Sequence, residues 1–188
     1  SHYWVIKYLH DNLHLPSAGD VTAGGASAVY GSLPQFGYVA HVLITFLFPP
    51  DLLALGARFG SLLMGLILIF AAYQSGKLLF KERLLALALP ATLVVHPQLA
   101  FLHSYSNNDS TSSALSSLII LIMLRIVYHG VSLKRATAVG ALIGWTALTK
   151  FSAVAVIPVV ILAIVAATVI HSTGWMLTLS AFGIIAAL

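Results

Sequence analysis

Long apolar runs alternate with short polar breaks along most of this chain, and the run lengths predict its elements. Residues 55–74, LGARFGSLLMGLILIFAAYQ, form a run of the length that crosses a bilayer as a helix, with Arg58 near its start. Residues 84–103 predict a second span, interrupted by Pro90 and Pro97. Proline is tolerated in membrane helices when neighbours satisfy the carbonyls it frees. Further spans are predicted over 112–128, 136–149 and 151–170, and another begins at 174–188. The 136–149 run is short and rich in small residues. Its Gly140 and Gly144 form a GxxxG pair, which is read first as ordinary close helix packing.

Residues 1–34 follow a different pattern. They are mixed and polar, broken by Pro16, Gly24, Gly25 and Pro34. Within them, residues 3–13 set Tyr3, Ile6, Lys7 and Leu13 near one face at helical spacing, which predicts a short amphipathic helix and no span. Residues 35–48 are apolar but short, bounded by Pro34 and Pro49-Pro50, and predict a juxtamembrane or re-entrant helix. The expected fold is therefore an all-α polytopic membrane bundle with juxtamembrane helices on its outer face. It is one domain over residues 1–188: an outer loop with juxtamembrane helices over 1–50, then about six spans over 55–188.

Composition agrees. The chain is 60% hydrophobic and 7% charged, with a mean hydropathy of +0.99. A soluble domain is about 25% charged. The net charge of +4 does not point to nucleic acid, because topology accounts for it better. Lys77, Lys81 and Arg83 follow the first predicted span, and Lys134 and Arg135 follow the third, with Arg125 at its end. Both sets fall on one side if the spans alternate, and the positive-inside rule makes that side cytoplasmic. Asp11, Asp20, Asp51 and Asp109 then lie outside, with Arg58 and Lys150 near helix ends. There is no cysteine, which excludes disulfides and thiolate metal sites.

Candidate chemistry gathers on that outer face. The stretch SYSNNDS, residues 104–110, puts Asn107, Asn108 and Asp109 between two apolar runs. A helix is expected to begin near Thr111 with Asp109 as its cap, where the carboxylate also suits the positive end of the helix dipole. Two asparagines and an aspartate exceed what a cap needs. Asn108-Asp109-Ser110 also fits the N-glycosylation triplet, which is common by chance. Lys150 interrupts an apolar stretch from about 136 to 170. It either snorkels or offers a point cation to a lipid phosphate, helped by Thr149 and Ser152. Arg58 anchors at the interface or clamps a phosphate. Among the eight histidines, His10/His14 and His96/His103 occur only as pairs, short of a metal site; a weakly held divalent cation at the outer acids stays open. No glycine-rich phosphate loop, HExxH or GxSxG is present.

The order of these pieces carries a resemblance. An outer HYWVIKYLHDNLHLP is followed by a short helix after proline, a span starting near an arginine, a basic turn, HPQLAFLHSYSNNDS and GALIGWTALTKFSAVAVIP. This resembles the GT-C superfamily of polyprenyl-phosphate-sugar-dependent glycosyltransferases. It looks closest to membrane proteins related to the dolichyl-phosphate-mannose protein mannosyltransferases and the lipid A aminoarabinose transferase. The resemblance implies transfer of a sugar from a polyprenyl-phosphate donor to an extracytoplasmic hydroxyl on a glycan, lipid or protein, at the plasma (inner) membrane. It implies no certain cofactor. An outer-loop aspartate of the family maps onto Asp109 as the catalytic residue. Lys150 matches the lysine facing the lipid phosphate, and Arg58, Asn107 and Asn108 are expected to bind substrate.

Two departures accompany it. The family's first-loop acid stands just before the segment that here begins at Ser1, and residues 1–10 hold no carboxylate. The base and a preceding span are therefore expected upstream, with Asp11 and Asp20 as weaker candidates. The chain is read as a fragment cut at both ends and inactive alone. The proline-tyrosine motif PPLYY is altered to LPQFGY. The rival reading is a non-catalytic transporter or binding protein for a lipid-linked substrate, although no internal repeat or midplane ionisable group supports it.

Overall fold

A computed structural model describes residues 2–15, 36–150, 155–171 and 175–187. Its elements are helical throughout. They are α1 (His2–Asn12), a 3-10 turn (Phe36–Tyr38) running into α2 (Val39–Thr45), a 3-10 turn (Pro50–Leu52) running into α3 (Leu53–Leu79), and α4 (Arg83–Ala86). There follow α5 (Ala88–Val95), α6 (Pro97–Ser104), α7 (Asn108–His129), α8 (Leu133–Thr149), α9 (Ile157–Ile170) and α10 (Trp175–Ala187).

Two helices, α3 with its leading turn and α7, are long and apolar enough to cross a membrane. A third crossing exists if α4–α5 and α6 count as one bent span. The 27 residues of α3 reach about 40 Å at 1.5 Å per residue, beyond the ~30 Å hydrocarbon thickness. The expected spans over 55–74 and 112–128 thus appear, each longer than the apolar run alone suggests. The expected span over 84–103 is a bent pair, turning by 63° between α5 and α6. Pro97 is the cause. It pushes His96 into an extended conformation (φ −77°, ψ 111°), which ends α5 and makes His96 the N-cap of α6. The expected span over 136–149 is the 17-residue α8, and α9 has 14 residues. Residues 151–154 and the polar stretch over 16–35 lie outside the described residues.

Close packing is concentrated on α3. Gly56, Gly60, Gly65 and Gly76 all face inward, and a Cβ added at any of them would meet a neighbour at 3.0 Å or less. The neighbours are Phe48, His41, His103 and the Ala86 carbonyl. Without a hydrophobic driving force between helices in lipid, this close approach supplies the dispersion that holds α2, α4 and α6 to α3. The GxxxG of α8 behaves differently: Gly140 is buried, whereas Gly144 is half-buried and faces a slot described below. Large side chains such as Leu62, Leu66, Phe70, Leu162 and Val169 point outward and are exposed, as expected of surfaces that meet lipid.

The α7–α8 turn lies at the end of the bundle away from the SYSNNDS stretch. Gly130 closes α7 at φ +78°, in a region that only glycine enters without strain. The Arg135 guanidinium donates to the His129 carbonyl at 3.0 Å and the Gly130 carbonyl at 2.6 Å, which satisfies the last carbonyls of α7.

Candidate functional site

The start of α7, the end of α8, the 3-10 turn over 36–38 and the start of α1 meet at one end of the bundle. The first turn of α7 is shaped by Asn107, which is fully buried and is the N-cap. Its Oδ1 accepts from the Ser110 amide at 2.8 Å, while its Nδ2 donates to the carbonyls of Leu102 (2.6 Å) and Tyr105 (2.8 Å). The expectation that Asp109 caps this helix is corrected here: α7 begins at Asn108, three residues before Thr111, and Asn107 is its cap. Asp109 stands free of that duty in the first turn, where the helix dipole favours its charge.

From there Asp109 reaches Lys150. Its Oδ1 lies 2.5 Å from Nζ, with the two side chains 37% and 44% exposed. Forty-one positions separate the partners in sequence. The pair is reachable because Lys150 is the C-cap of α8, in extended conformation. The contact is stitched by neighbours. Asn108 Nδ2 donates to the Thr149 carbonyl at 3.4 Å, and the Thr111 hydroxyl donates to the Gly37 carbonyl at 2.7 Å. The Trp145 indole donates to the Phe36 carbonyl at 3.2 Å. Gly37 permits this junction, since a Cβ there would sit 2.6 Å from the Thr149 methyl and 3.0 Å from Asn108 Cβ. The Thr149 hydroxyl donates back to the Trp145 carbonyl, so Thr149 packs the junction and is buried. Ser152 lies outside the described residues.

The remaining expected site residues divide. Asn108 borders the ion pair. Arg58 is exposed on α3 and makes no hydrogen bond or ion pair with Asp109 or Lys150. Asp11 pairs with Lys7 at 2.6 Å on α1, and Asp20 lies outside the described residues. His10 bonds Thr45 at 2.8 Å and stacks on Phe46, and no group of three or more His, Asp or Glu able to hold a metal occurs among the described residues.

Several residues escape the sequence reading. His2 Nδ1 lies 2.5 Å from the buried Tyr38 hydroxyl, within electrostatic reach of both Asp109 and Lys150. Burial lowers the His2 pKa, against the raising effect of the Asp109 carboxylate. His41 on α2 is fully buried, and its desolvation lowers the imidazole pKa to about 4 despite the Gly37 carbonyl. Its Nε2 lies 3.0 Å from Ser61 Oγ on α3 and 3.3 Å from Ser110 Oγ on α7. A lone histidine in an apolar run carries no local sign of such partners.

Two apolar hollows open on the bundle. One of about 440 Å³ runs between the 36–39 turn and α8, lined by Phe36, Val39, Ala141, Gly144, Trp145 and Leu148. The other, about 890 Å³, lies among α2, α3, α5 and α6, with His103 in its wall and no residue of α8.

A family model described as dolichyl-phosphate-mannose-protein mannosyltransferase matches residues 35–188. The chain belongs to that family. The match covers the 36–38 turn, α2, α3, the bent pair, the Asp109–Lys150 junction and everything after it, and it makes the chain part of a membrane glycosyltransferase of the GT-C type. Comparisons with curated proteins and with solved structures give no match.

Proposed function

We propose that this end of the bundle transfers a sugar from a polyprenyl-phosphate donor to an acceptor hydroxyl on a glycan, lipid or protein outside the cytoplasm. The observation that carries the reading is the Asp109–Lys150 pair, held half-exposed where the start of α7 meets the end of α8, beside an apolar slot. The acceptor oxygen attacks the anomeric carbon, and the bond from that carbon to the phosphate oxygen breaks. The electron pair leaves with the polyprenyl phosphate, and the hydroxyl proton passes to a carboxylate. Phosphate is a good leaving group when its charge is held, so fixed cations matter more than covalent chemistry. Lys150 is the cation for the departing phosphate, and Asp109 is the carboxylate of the described chain placed to take or share the proton.

The family membership supports sugar transfer in a membrane, and the slot suits the first isoprene units of a carrier. Trp145 and Leu148 line that slot within one and a half turns of Lys150 on α8 (~3.6 residues per turn), whereas the larger hollow has no wall from α8. Asn108 borders the same junction as a substrate contact. Asn107 supports it from within, and Arg58 serves as an interfacial anchor in this reading. The test is binding of undecaprenyl phosphate to the detergent-solubilised protein, followed by tryptophan fluorescence. Saturable binding that weakens about tenfold in Lys150→Gln is expected, the loss of one charge-assisted contact. Equal binding by the variant would remove Lys150 from the donor site.

A further inference from the structure

The site depends on α7 and α8 meeting at one depth, and neither helix alone sets that depth. A buried polar chain does so from beneath. Ser61 Oγ donates to the Tyr105 carbonyl at 2.7 Å, so α3 grips the loop that carries Asn107. Ser110 Oγ lies 2.9 Å from the Asn107 carbonyl and 3.3 Å from Ser61 Oγ. Both hydroxyls converge on Nε2 of His41, and all three side chains are sealed from solvent. On α3, Gly60 brings the α2 backbone close enough for this: a Cβ at that position would stand 2.7 Å from His41 Cα. Ser110 directly follows Asp109 in the first turn of α7, so a shift of the backbone at Ser110 carries the carboxylate with it.

We propose that His41 is a positioning residue: through Ser61 and Ser110 it locks the first turn of α7 against α2 and α3, and thereby fixes Asp109 where it meets Lys150. The ring joins three elements from one nitrogen, which no aliphatic side chain of similar volume does. A buried polar group left without its partner is costly, so the three groups keep one arrangement. The inference rests on the functional reading only for its consequence in donor binding. The geometric claim concerns the ion pair itself.

The experiment reads Lys150 directly. The Lys150 side chain is 44% exposed while its Nζ is engaged by Asp109, so its rate of reductive methylation reports how tightly the pair is held. Rates at Lys150, Lys81 and Lys134 are followed by peptide mass spectrometry in detergent, with undecaprenyl-phosphate binding measured on the same samples. His41→Gln and Ser110→Ala are compared with wild type and with Asp109→Asn, which abolishes the ion pair and sets the upper limit. Expected is a rise of at least threefold at Lys150 in His41→Gln and in Ser110→Ala, toward the Asp109→Asn value. Lys81 and Lys134 stay unchanged, and binding weakens several-fold. Ser110→Ala removes one hydroxyl and little volume, so it decides the matter if His41→Gln fails to fold. Unchanged Lys150 methylation in the folded variants overturns the proposal. If Lys150 responds but wild type binds no undecaprenyl phosphate, positioning stands and the donor reading falls.

Discussion

At the scale of single residues, the Asp109–Lys150 pair is a poor source of stability and a good source of geometry. Half-exposed ion pairs contribute about 0–1 kcal/mol, so removing the charge should leave the fold intact. Asp109→Asn is expected to keep its melting temperature within a degree or two, while transfer from a polyprenyl-phosphate sugar by an active protein that contains this segment falls about 100-fold, the lower end of acid–base contributions. Full transfer by the folded variant would remove Asp109 from the chemistry. His41 behaves in the opposite way. Its pKa is about 4 in the folded chain against an ordinary value of 6.5, so between those values the unfolded chain binds more protons. Its contribution is fully present above pH 6.5 and is lost as pH falls toward 4, by roughly 3 kcal/mol in all. Melting at pH 7 and at pH 4.5 should differ more in wild type than in His41→Gln, and equal differences would contradict the assignment. Asp109 and Lys150 were legible in the sequence because each charge interrupts an apolar run, and such an interruption needs a reason. His2, Tyr38 and His41 were not, because their partners lie 36 positions away for His2, and 20 and 69 for His41. Asn107 and Asp109 exchanged roles for a local reason: the amide side chain of Asn107 both accepts from the helix and donates to the preceding loop, which a carboxylate cannot do.

Elements are set by breaks as much as by apolar runs. The bend between α5 and α6 follows from Pro97, and the sequence marks its place but not its angle. The bend leaves the larger hollow against α3 and brings His103 over Gly65. On α3 the inward face of small residues is visible in the sequence as glycines within a span. What they admit is not visible, because Phe48, His41, His103 and Ala86 come from other elements. Gly60→Ala tests this packing. The added methyl meets the backbone of α2, which cannot rotate away as a flexible side chain would. Overpacking of this kind costs about 1–3 kcal/mol. The expected result is a melting temperature lowered by several degrees, together with faster methylation of Lys150 as His41 is displaced. A thermally neutral Gly60→Ala would mean that α2 yields to α3 freely. The cap of α7 gives a matching case: Asn107→Ala removes a capping bond, worth about 1 kcal/mol, takes the Asn107 donor from the Leu102 carbonyl and leaves the Tyr105 carbonyl to Ser61 alone.

For the whole molecule, the candidate site and the closing turn after α7 lie at opposite ends of the bundle. Asp109, Lys150, His2 and the 36–38 turn gather at the first end, and the Gly130–Arg135 turn closes the second. Positive charge sits toward the second end, with Lys81 after α3, Arg83 at the start of α4, and Lys134 and Arg135 in the first turn of α8. The positive-inside rule predicts that this end faces the cytoplasm, and the proposed reading then needs the ion pair on the far side, where a lipid-linked sugar would meet an exported acceptor. The chain holds no cysteine, so single cysteines can be introduced without a background. Asp51→Cys and Ser106→Cys mark the first end, Lys81→Cys and Lys134→Cys the second. In intact cells a membrane-impermeant maleimide should label the first two and spare the others, and permeabilisation should make all four react. Labelling of the opposite pair would turn the molecule over and place the site beside cytoplasmic donors. Labelling of all four before permeabilisation would mean that α3 and α7 do not both cross. The outcome at Ser106 matters most, because that residue lies within three positions of Asp109 and shares its depth at the start of α7.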